Sequence, residues 1–567
     1  MLRLFGSLHK IIVSLHAPVL RATRALILTF VVISSAPSIA QPVIPAPAGL
    51  ADEAVTYINT YSNILQSFAA NEDRETADLI AALALLEEPQ VRTFLDTLLA
   101  GDVYVMRENP RVVIATRGED LLAITDAITG AALGEVATRA VQRVSLNNSL
   151  RRTLRVLLAD LDLESPDPAA RLDAVAYLMS QGAEESKPKL EALLANEEDT
   201  AVLTQVTAAL ALLDLTSTDS VVRGQAIDAV DGNLNNAIRN ALAEIAENDP
   251  DEALRVKARE SLEGIADRIR WLGHLETLFF GISLGSVLLL AAIGLAITFG
   301  VMGVINMAHG ELIMLGAYTT FVVQQLLPNH LEISIIVAIP AAFIVSALFG
   351  IAIERGVIRF LYGRPLETLL ATFGISLILQ QLVRTVFSPL NRSVSTPQWM
   401  SGQWQINEVL ALNYNRLYII IFCLLVFFLL SMLLKKTRLG IEVRAVAQNR
   451  AMARAIGVRS NRVDALTFGL GSGIAGIAGV ALSQLTNVGP NMGQDYIVDS
   501  FMVVVFGGVG NLWGAFYSSF ILGIVNKVLE PEAGAVLAKI LILVFIILFI
   551  QRQPRGLFPA KGRGVED

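Results

Sequence analysis

Cysteine is nearly missing: Cys423, set in an apolar run, is the single cysteine in 567 residues. An intrachain disulfide and a cysteine-based zinc cluster are therefore excluded. Charge is scarce too, at 17% of residues against an apolar share of 53%, and the mean hydropathy is +0.56. A soluble protein of ordinary composition does not look like this, and a membrane protein does. No G-x-x-x-x-G-K run followed by Ser or Thr occurs, so the chain cannot present that phosphate-cradling loop, and energy for a driven process must come from another chain. There is no H-E-x-x-H motif, and five histidines give no convincing nucleophile and base pair, which argues against a membrane hydrolase. A strongly basic surface for nucleic acid is absent as well.

What charge there is falls into blocks. Residues 1–40 carry Arg3, Lys10, Arg21 and Arg24 with no acidic residue. Residues 41–270 hold 38 acidic against 20 basic side chains, and residues 271–567 hold 14 against 20. An acidic polar block thus sits between two basic hydrophobic ones. The first forty residues read as a signal peptide: basic residues precede Ala25–Ile33, and Ser38-Ile39-Ala40 has the small-x-small form of a cleavage site near Ala40. An uncleaved first membrane helix is the competing reading, and either one exports the acidic block.

Residues 41–270 contain no membrane-length apolar run. Beyond the Pro-rich stretch Pro42–Pro47, helical patterns dominate, except that Val103–Met106 and Arg111–Thr116 around Asn109-Pro110 suggest a small hairpin. Four Asp-containing helix starts, at 165–168, 196–199, 218–220 and 248–251, each open an Ala/Leu/Val face, and Arg171, Arg223 and Arg255 follow three of them. This pattern resembles a short α-solenoid of the HEAT or armadillo type, with an acidic helical bundle as the alternative. Such a domain offers a docking surface rather than a chemistry.

From Leu278 to Met307 no side chain is charged, enough to cross roughly 30 Å of hydrocarbon. Further apolar segments are Gly310–Leu327, Ile333–Ile353, Thr368–Phe387, Leu417–Leu434, Ala465–Leu485, Phe501–Val528 and Ala535–Ile550, about eight in all. The expected fold class is all-α: a polytopic membrane domain over 275–560 preceded by the exported helical domain. The basic segment Lys435–Arg462 belongs inside, which places 41–270 and the Trp399/Trp404 loop outside. The basic C-terminus asks for the inside too. That is met if Phe501–Val528, broken at Gly507-Gly508-Val509-Gly510, re-enters without crossing.

Polar residues at membrane depth are pathway candidates, because a buried charge is costly there and usually faces a cavity or bundle interior. Asn306, His309 and Glu311 qualify, in a joint that reads as a broken or re-entrant helix; capping that break is their alternative role. Thr372, Ser376 and Gln380 offer donors and acceptors to a small polar solute, or equally to neighbouring helices. Gly507, Gly508 and Asn511 mark a helix break that opens backbone amides. The glycines Gly281, Gly285, Gly469, Gly473, Gly476 and Gly479 are better read as close helix contacts. Between spans, Val443–Val458 predicts a short alanine-rich helix ended by Gly457, suited to a partner's groove or to lying on anionic lipid.

Several local sequences resemble a known family. Gly303–Glu311 with Met314–Tyr318, Ala371–Gln381, Arg444–Arg450 and Phe506–Gly514, in that order, are similar to the permeases of the branched-chain amino acid family of ABC importers. The likeness covers residues 275–560. Within that family, Leu529-Glu530-Pro531, Ala533–Lys539 and the ending Gln551–Phe558 resemble the urea-importer branch, as does the long exported extension. The resemblance implies a multi-pass subunit of the bacterial cytoplasmic membrane, with residues 41–270 periplasmic and the C-terminus cytoplasmic. It implies a coupling helix bearing Arg444, Ala447, Asn449, Arg450, Ala451, Arg454 and Gly457 that inserts into an ATP-hydrolysing subunit. Implied partners are a second related permease, two ATP-binding subunits and a solute-binding protein; this chain binds no cofactor, and ATP is used by those partners. A branched-chain amino acid or short-chain amide importer is the nearest alternative, and a passive urea channel or a solenoid-bearing receptor the rival from another class. A neutral cargo such as urea suits membrane segments that offer amides and hydroxyls rather than charges.

Overall fold

The computed structural model describes residues 89–558, save 110, 118–120 and 183, together with Leu65, Ile80 and Leu83. The expected signal peptide and the Pro-rich stretch lie outside the described residues. The chain divides into two compact units, Met1–Leu203 and Thr204–Asp567.

In the first unit, α1 (Pro89–Ala100) precedes five strands, β1 (Val103–Met106), β2 (Val112–Arg117), β3 (Leu122–Asp126), β4 (Ala132–Val136) and β5 (Val141–Arg143). They form one antiparallel sheet in the order β4-β3-β2-β1-β5. The expected hairpin is β1–β2, pairing Val103 with Ile114 and Val105 with Val112. It extends by three strands that the helical reading of this region overlooked. Alternation explains β3, where Leu122, Ile124 and Asp126 point inward and Ala123 faces out. Helices α2 (Asn148–Asp162), α3 (Pro168–Gln181) and α4 (Lys187–Asn196) come next. Leu150, Leu154 and Leu158, one helical turn apart, pack with Phe94, Leu95 and Leu98 of α1 in one core.

Helix α5 (Thr200–Asp214) bridges the boundary between units and leads to α6 (Ser220–Ala229) and α7 (Asn236–Asn248). The expected caps recur: Asp167, Asp219 and Asp251 each accept a hydrogen bond from the backbone N–H two residues on. The recurring arginines have one geometry. Arg171 donates to the Ser165 carbonyl, Arg223 to that of Ser217 and Arg255 to that of Asp249, each six residues back. Arg171 also grips Glu197, and Arg223 grips Asp249, each pair being 26 residues apart. The Arg171 guanidinium, with the backbone amides of Asp199 and Glu198, holds the Glu197 carboxyl down at about 2. One structural module is thus used twice, which is the internal repetition the arginine spacing predicted.

Helix α8 runs unbroken from Glu252 to Met302, 51 residues. The junction expected at residues 270–275 therefore falls inside a single helix. Next come α9 (His309–Leu326), α10 (Leu331–Gly356), α11 (Pro365–Phe387), the hairpin β6 (Gln403–Gln405) and β7 (Ala411–Asn413), α12 (Tyr414–Lys436), α13 (Arg438–Gln448), α14 (Arg450–Ala455), α15 (Ser460–Ser483), α16 (Met492–Gly507), α17 (Leu512–Ala533) and α18 (Ala535–Arg552). Seven helices among the described residues are long and apolar enough to cross a membrane: α8, α10, α11, α12, α15, α17 and α18. The protein is mostly helical, as expected.

Glycines set the spacing of these helices. A methyl group on Gly471 of α15 would come 2.6 Å from the Gly294 carbonyl oxygen of α8, and one on Gly281 would come 2.7 Å from the Ile524 Cα of α17. In lipid, where burying apolar surface gives little, such close approach is what holds helices together. Phe501–Val528 is broken at the expected glycines: it comprises the end of α16 and most of α17, folded against each other with Gly507 packed on Gly514. Gly508, at φ +102, makes the turn that an L side chain rarely adopts, and the Asn511 side chain caps α17 at Trp513 and Gly514.

Candidate functional site

Gly303 caps α8 at φ +64, with its N–H on the Phe299 carbonyl. The chain then folds back along α8 rather than leaving it. His309, the first residue of α9, places Nε2 2.8 Å from the carbonyl oxygen of Ala291. Ala291 precedes the end of α8 by 11 residues, about 16 Å at 1.5 Å per residue. Residues 304–308 are thus a non-helical stretch reaching back into the apolar body of the unit, the broken helix expected at this joint. Irregular backbone at that depth must find partners inside the protein. The Ala308 N–H bonds Asn306 Oδ1 at 3.0 Å, and the Met307 N–H bonds Thr372 Oγ1 at 3.1 Å.

Helix α11 supplies the facing wall. Thr372, Ser376 and Gln380 recur every four residues, so they share one helix face. Thr372 meets the broken stretch, while Ser376 Oγ and Gln380 Nε2 both donate to Glu311 Oε1, at 2.9 and 2.7 Å. All of Asn306, His309, Glu311, Thr372, Ser376 and Gln380 are buried. Three polar atoms of the stretch 306–311 have no partner among the described residues: Asn306 Nδ2, His309 Nδ1 and Glu311 Oε2. With His309 Nε2–H on a carbonyl, a neutral ring leaves Nδ1 as an acceptor. One spare donor and two spare acceptors thus lie along the broken stretch, with His309 turned to α8 and Glu311 to α11.

The remaining candidates lie elsewhere. Gly507 and Gly508 pack against Gly514 and the Phe558 backbone, and Asn511 Nδ2 donates to the Phe558 carbonyl at 3.2 Å. They build the α16–α17 turn and do not join the Glu311 cluster.

Val443–Val458 is not the single helix the sequence suggested. Asn449, extended at φ −151, ends α13 and caps α14 through the Met452 N–H, because an Asx side chain competes well for a helix's first amides. Gly457, at φ +93, terminates α14. Arg450 forms two bonds of 2.8 and 2.9 Å to Asp464 at the start of α15, and its guanidinium lies 3.9 Å from the Tyr362 ring centroid. Arg454 donates to Ser460 Oγ at 2.7 Å, and Arg444 donates to the Leu434 carbonyl. These arginines hold the segment in place. Ala447 is half-buried, while Asn449, Ala451, Met452, Ala455 and Ile456 are exposed, leaving a small apolar face free for contact.

Comparison with known proteins matches residues 277–550 to the family described as branched-chain amino acid transport system, permease component. The high-affinity branched-chain amino acid transport system permease protein BraD of Pseudomonas aeruginosa is 30% identical over 293 residues, 50% of this chain and 95% of that protein. This chain belongs to that permease family. LivH of Escherichia coli K12, of the same description, is 29% identical over 298 residues, covering 51% of this chain and 96% of its own. The ribose import permease protein RbsC of Escherichia coli K12 is 27% identical over 252 residues, 43% of this chain and 74% of that protein. No solved structure matches. The family match begins at 277, so the permease unit includes the end of α8, the broken stretch and the Arg450 clamp, while residues before it lie outside the match.

The sequence reading missed Asp464 and Tyr362, which fix Arg450, and the 3.1 Å pair of Asp499 with Lys539. A lone acidic side chain within an otherwise apolar helix was the available signal for Asp464, and Asp499 follows Asp495 in the same way.

Proposed function

We propose that this permease subunit carries urea across the bacterial cytoplasmic membrane, as part of an importer driven by ATP hydrolysis in partner subunits. The observation that supports this cargo is the chemistry of residues 306–311 and their α11 wall. The spare groups are an amide donor, an imidazole nitrogen and a carboxylate oxygen, and among the described residues no lysine or arginine hydrogen-bonds to these side chains, Arg384 acting on Glu311 only through space. A neutral amide solute needs hydrogen-bond partners of both kinds and no counter-charge, whereas a zwitterion stripped of water also needs a cation for its carboxylate. Leucine-type amino acids are the second reading, favoured by the names of the relatives. Deleting the gene should abolish uptake of labelled urea at low external concentration and leave leucine uptake intact. The reverse pattern moves the cargo to the amino acids.

In this reading a second related permease completes the membrane passage, a solute-binding protein delivers the cargo, and of two ATP-binding subunits one receives the basic loop. The exposed face of Ala451, Met452, Ala455 and Ile456 is the docking surface, with the arginines as its supports. Ala451→Trp should leave the protein in the membrane at wild-type level and reduce uptake at least about ten-fold, the effect of losing roughly 1.4 kcal/mol at an interface. Normal uptake would remove the docking assignment.

The orientation places residues 41–270 and the β6–β7 loop on the periplasmic side and both the basic loop and the C-terminus in the cytoplasm. Asn235 Nδ2 bonds Glu408 Oε1 at 2.9 Å, which supports a common side for the helical repeats and that loop. Protease added to intact spheroplasts should cut within 41–270 and spare Lys435–Arg462; cleavage of the basic loop alone would invert the topology.

A further inference from the structure

A cavity of about 310 Å3 opens where α8, α12 and α13 meet the turn into α17. Ile297, Val301, Leu512 and Trp513 give it apolar walls, and Lys435 and Arg444 supply two cations. None of its fifteen lining residues is acidic. Lys435 Nζ stands 5.9 Å from the Trp513 ring centroid, and Arg444 reaches only a backbone carbonyl. Neither has an ion-pair partner among the described residues, in contrast to Arg450 with Asp464. Both side chains are exposed at the cavity mouth, so an anion arriving there meets two cations and apolar walls together.

The position selects its kind. Lys435 and Lys436 end α12, where a spanning helix leaves the hydrocarbon and basic and aromatic side chains meet the headgroup layer. Phe428 and Met432, exposed at 57% and 56%, precede Lys435 at helical spacing on one face of α12. An apolar track thus leads to the cations. A free phosphate would gain nothing from that track or from the apolar walls, whereas a phospholipid uses both.

We propose that this cavity seats the headgroup of an anionic phospholipid, with Lys435 and Arg444 on its phosphate and its acyl chains along α12. Arg444, Gly440, Val443 and Ala447 of α13 wall the cavity, so a bound lipid holds that helix against the permease core. This consequence for coupling rests on the docking of ATP-binding subunits at the basic loop; the lipid seat itself does not.

Native mass spectrometry of the assembled transporter, titrated separately with phosphatidylglycerol, phosphatidylcholine and inorganic phosphate, tests it. Phosphatidylglycerol should be retained in preference to phosphatidylcholine, and inorganic phosphate should not be retained. Lys435→Gln and Arg444→Gln should each weaken that retention about five-fold, the contribution of one basic side chain near an anionic surface. Lys435→Arg should preserve it, as should Lys436→Gln, which alters a cation outside the cavity and reports on the fold. Equal retention of the two lipids, full retention of phosphatidylglycerol by both glutamine variants, or retention of inorganic phosphate alone would each overturn the proposal.

Discussion

Glu311→Gln is expected to leave the permease at wild-type level in the membrane and to lower uptake about ten- to hundred-fold. The two parts of that result separate structure from transport. A glutamine oxygen at the same place still accepts from Ser376 and Gln380, so the α9–α11 contact survives. What changes is the free acceptor Oε2, the atom with no partner among the described residues, which becomes an amide donor. A buried donor deprived of its acceptor costs about 1–3 kcal/mol, roughly that range of rates. Glu311→Ala adds a second injury, leaving two buried donors unpaired at about 1–3 kcal/mol each, and should reduce the amount of protein as well. Transport measured per inserted molecule distinguishes them. Unchanged transport by Glu311→Gln would reduce Glu311 to a strut between two helices.

The largest effect on assembly is expected at Gly316. A methyl there would come 2.5 Å from the Gly476 Cα and 2.6 Å from its carbonyl carbon. These are backbone atoms, so nothing flexible can yield, and α9 must move away from α15. Overpacking of this kind costs about 1–3 kcal/mol or more, and in a unit held by such contacts Gly316→Ala should sharply lower the folded fraction recovered in mild detergent. Gly374 of α11 is the control, since a methyl there meets nothing within 4 Å. Gly374→Ala should be neutral or stabilise slightly, because alanine suits a helix interior better by about 0.5–1 kcal/mol. Thermal unfolding of the purified variants by tryptophan fluorescence measures both, and equal behaviour would refute the contact argument.

Much of this was readable in the residues, and the failures have physical causes. Charge-free stretches of membrane length located the spanning helices, since each must satisfy its backbone internally whatever its neighbours do. The Asp caps and recurring arginines announced the helical repeats because capping is local chemistry. Strands β3 to β5 escaped because β4, Ala132–Val136, is almost wholly exposed and carries a glycine, so its pairing with β3 supplies an order that its composition does not advertise. Asn449 sits in an alanine-rich run whose composition gives no sign that its side chain caps the following helix. The four-residue spacing of Thr372, Ser376 and Gln380 was visible, but that all three face the broken stretch and the first turn of α9 depends on contacts 65 to 69 residues away. Partnerships at that range are fixed by packing, and no local pattern encodes them.

Helix α8 has a mechanical meaning. At 51 residues it is about 76 Å long, and it contains no proline at which it could hinge. Its first turns pack with α7, and Ala291, well inside the apolar unit, is the residue whose carbonyl His309 grips. The α7-packed turns and the carbonyl that His309 holds therefore share one continuous hydrogen-bonded backbone, so the two contacts are laid out along a single axis.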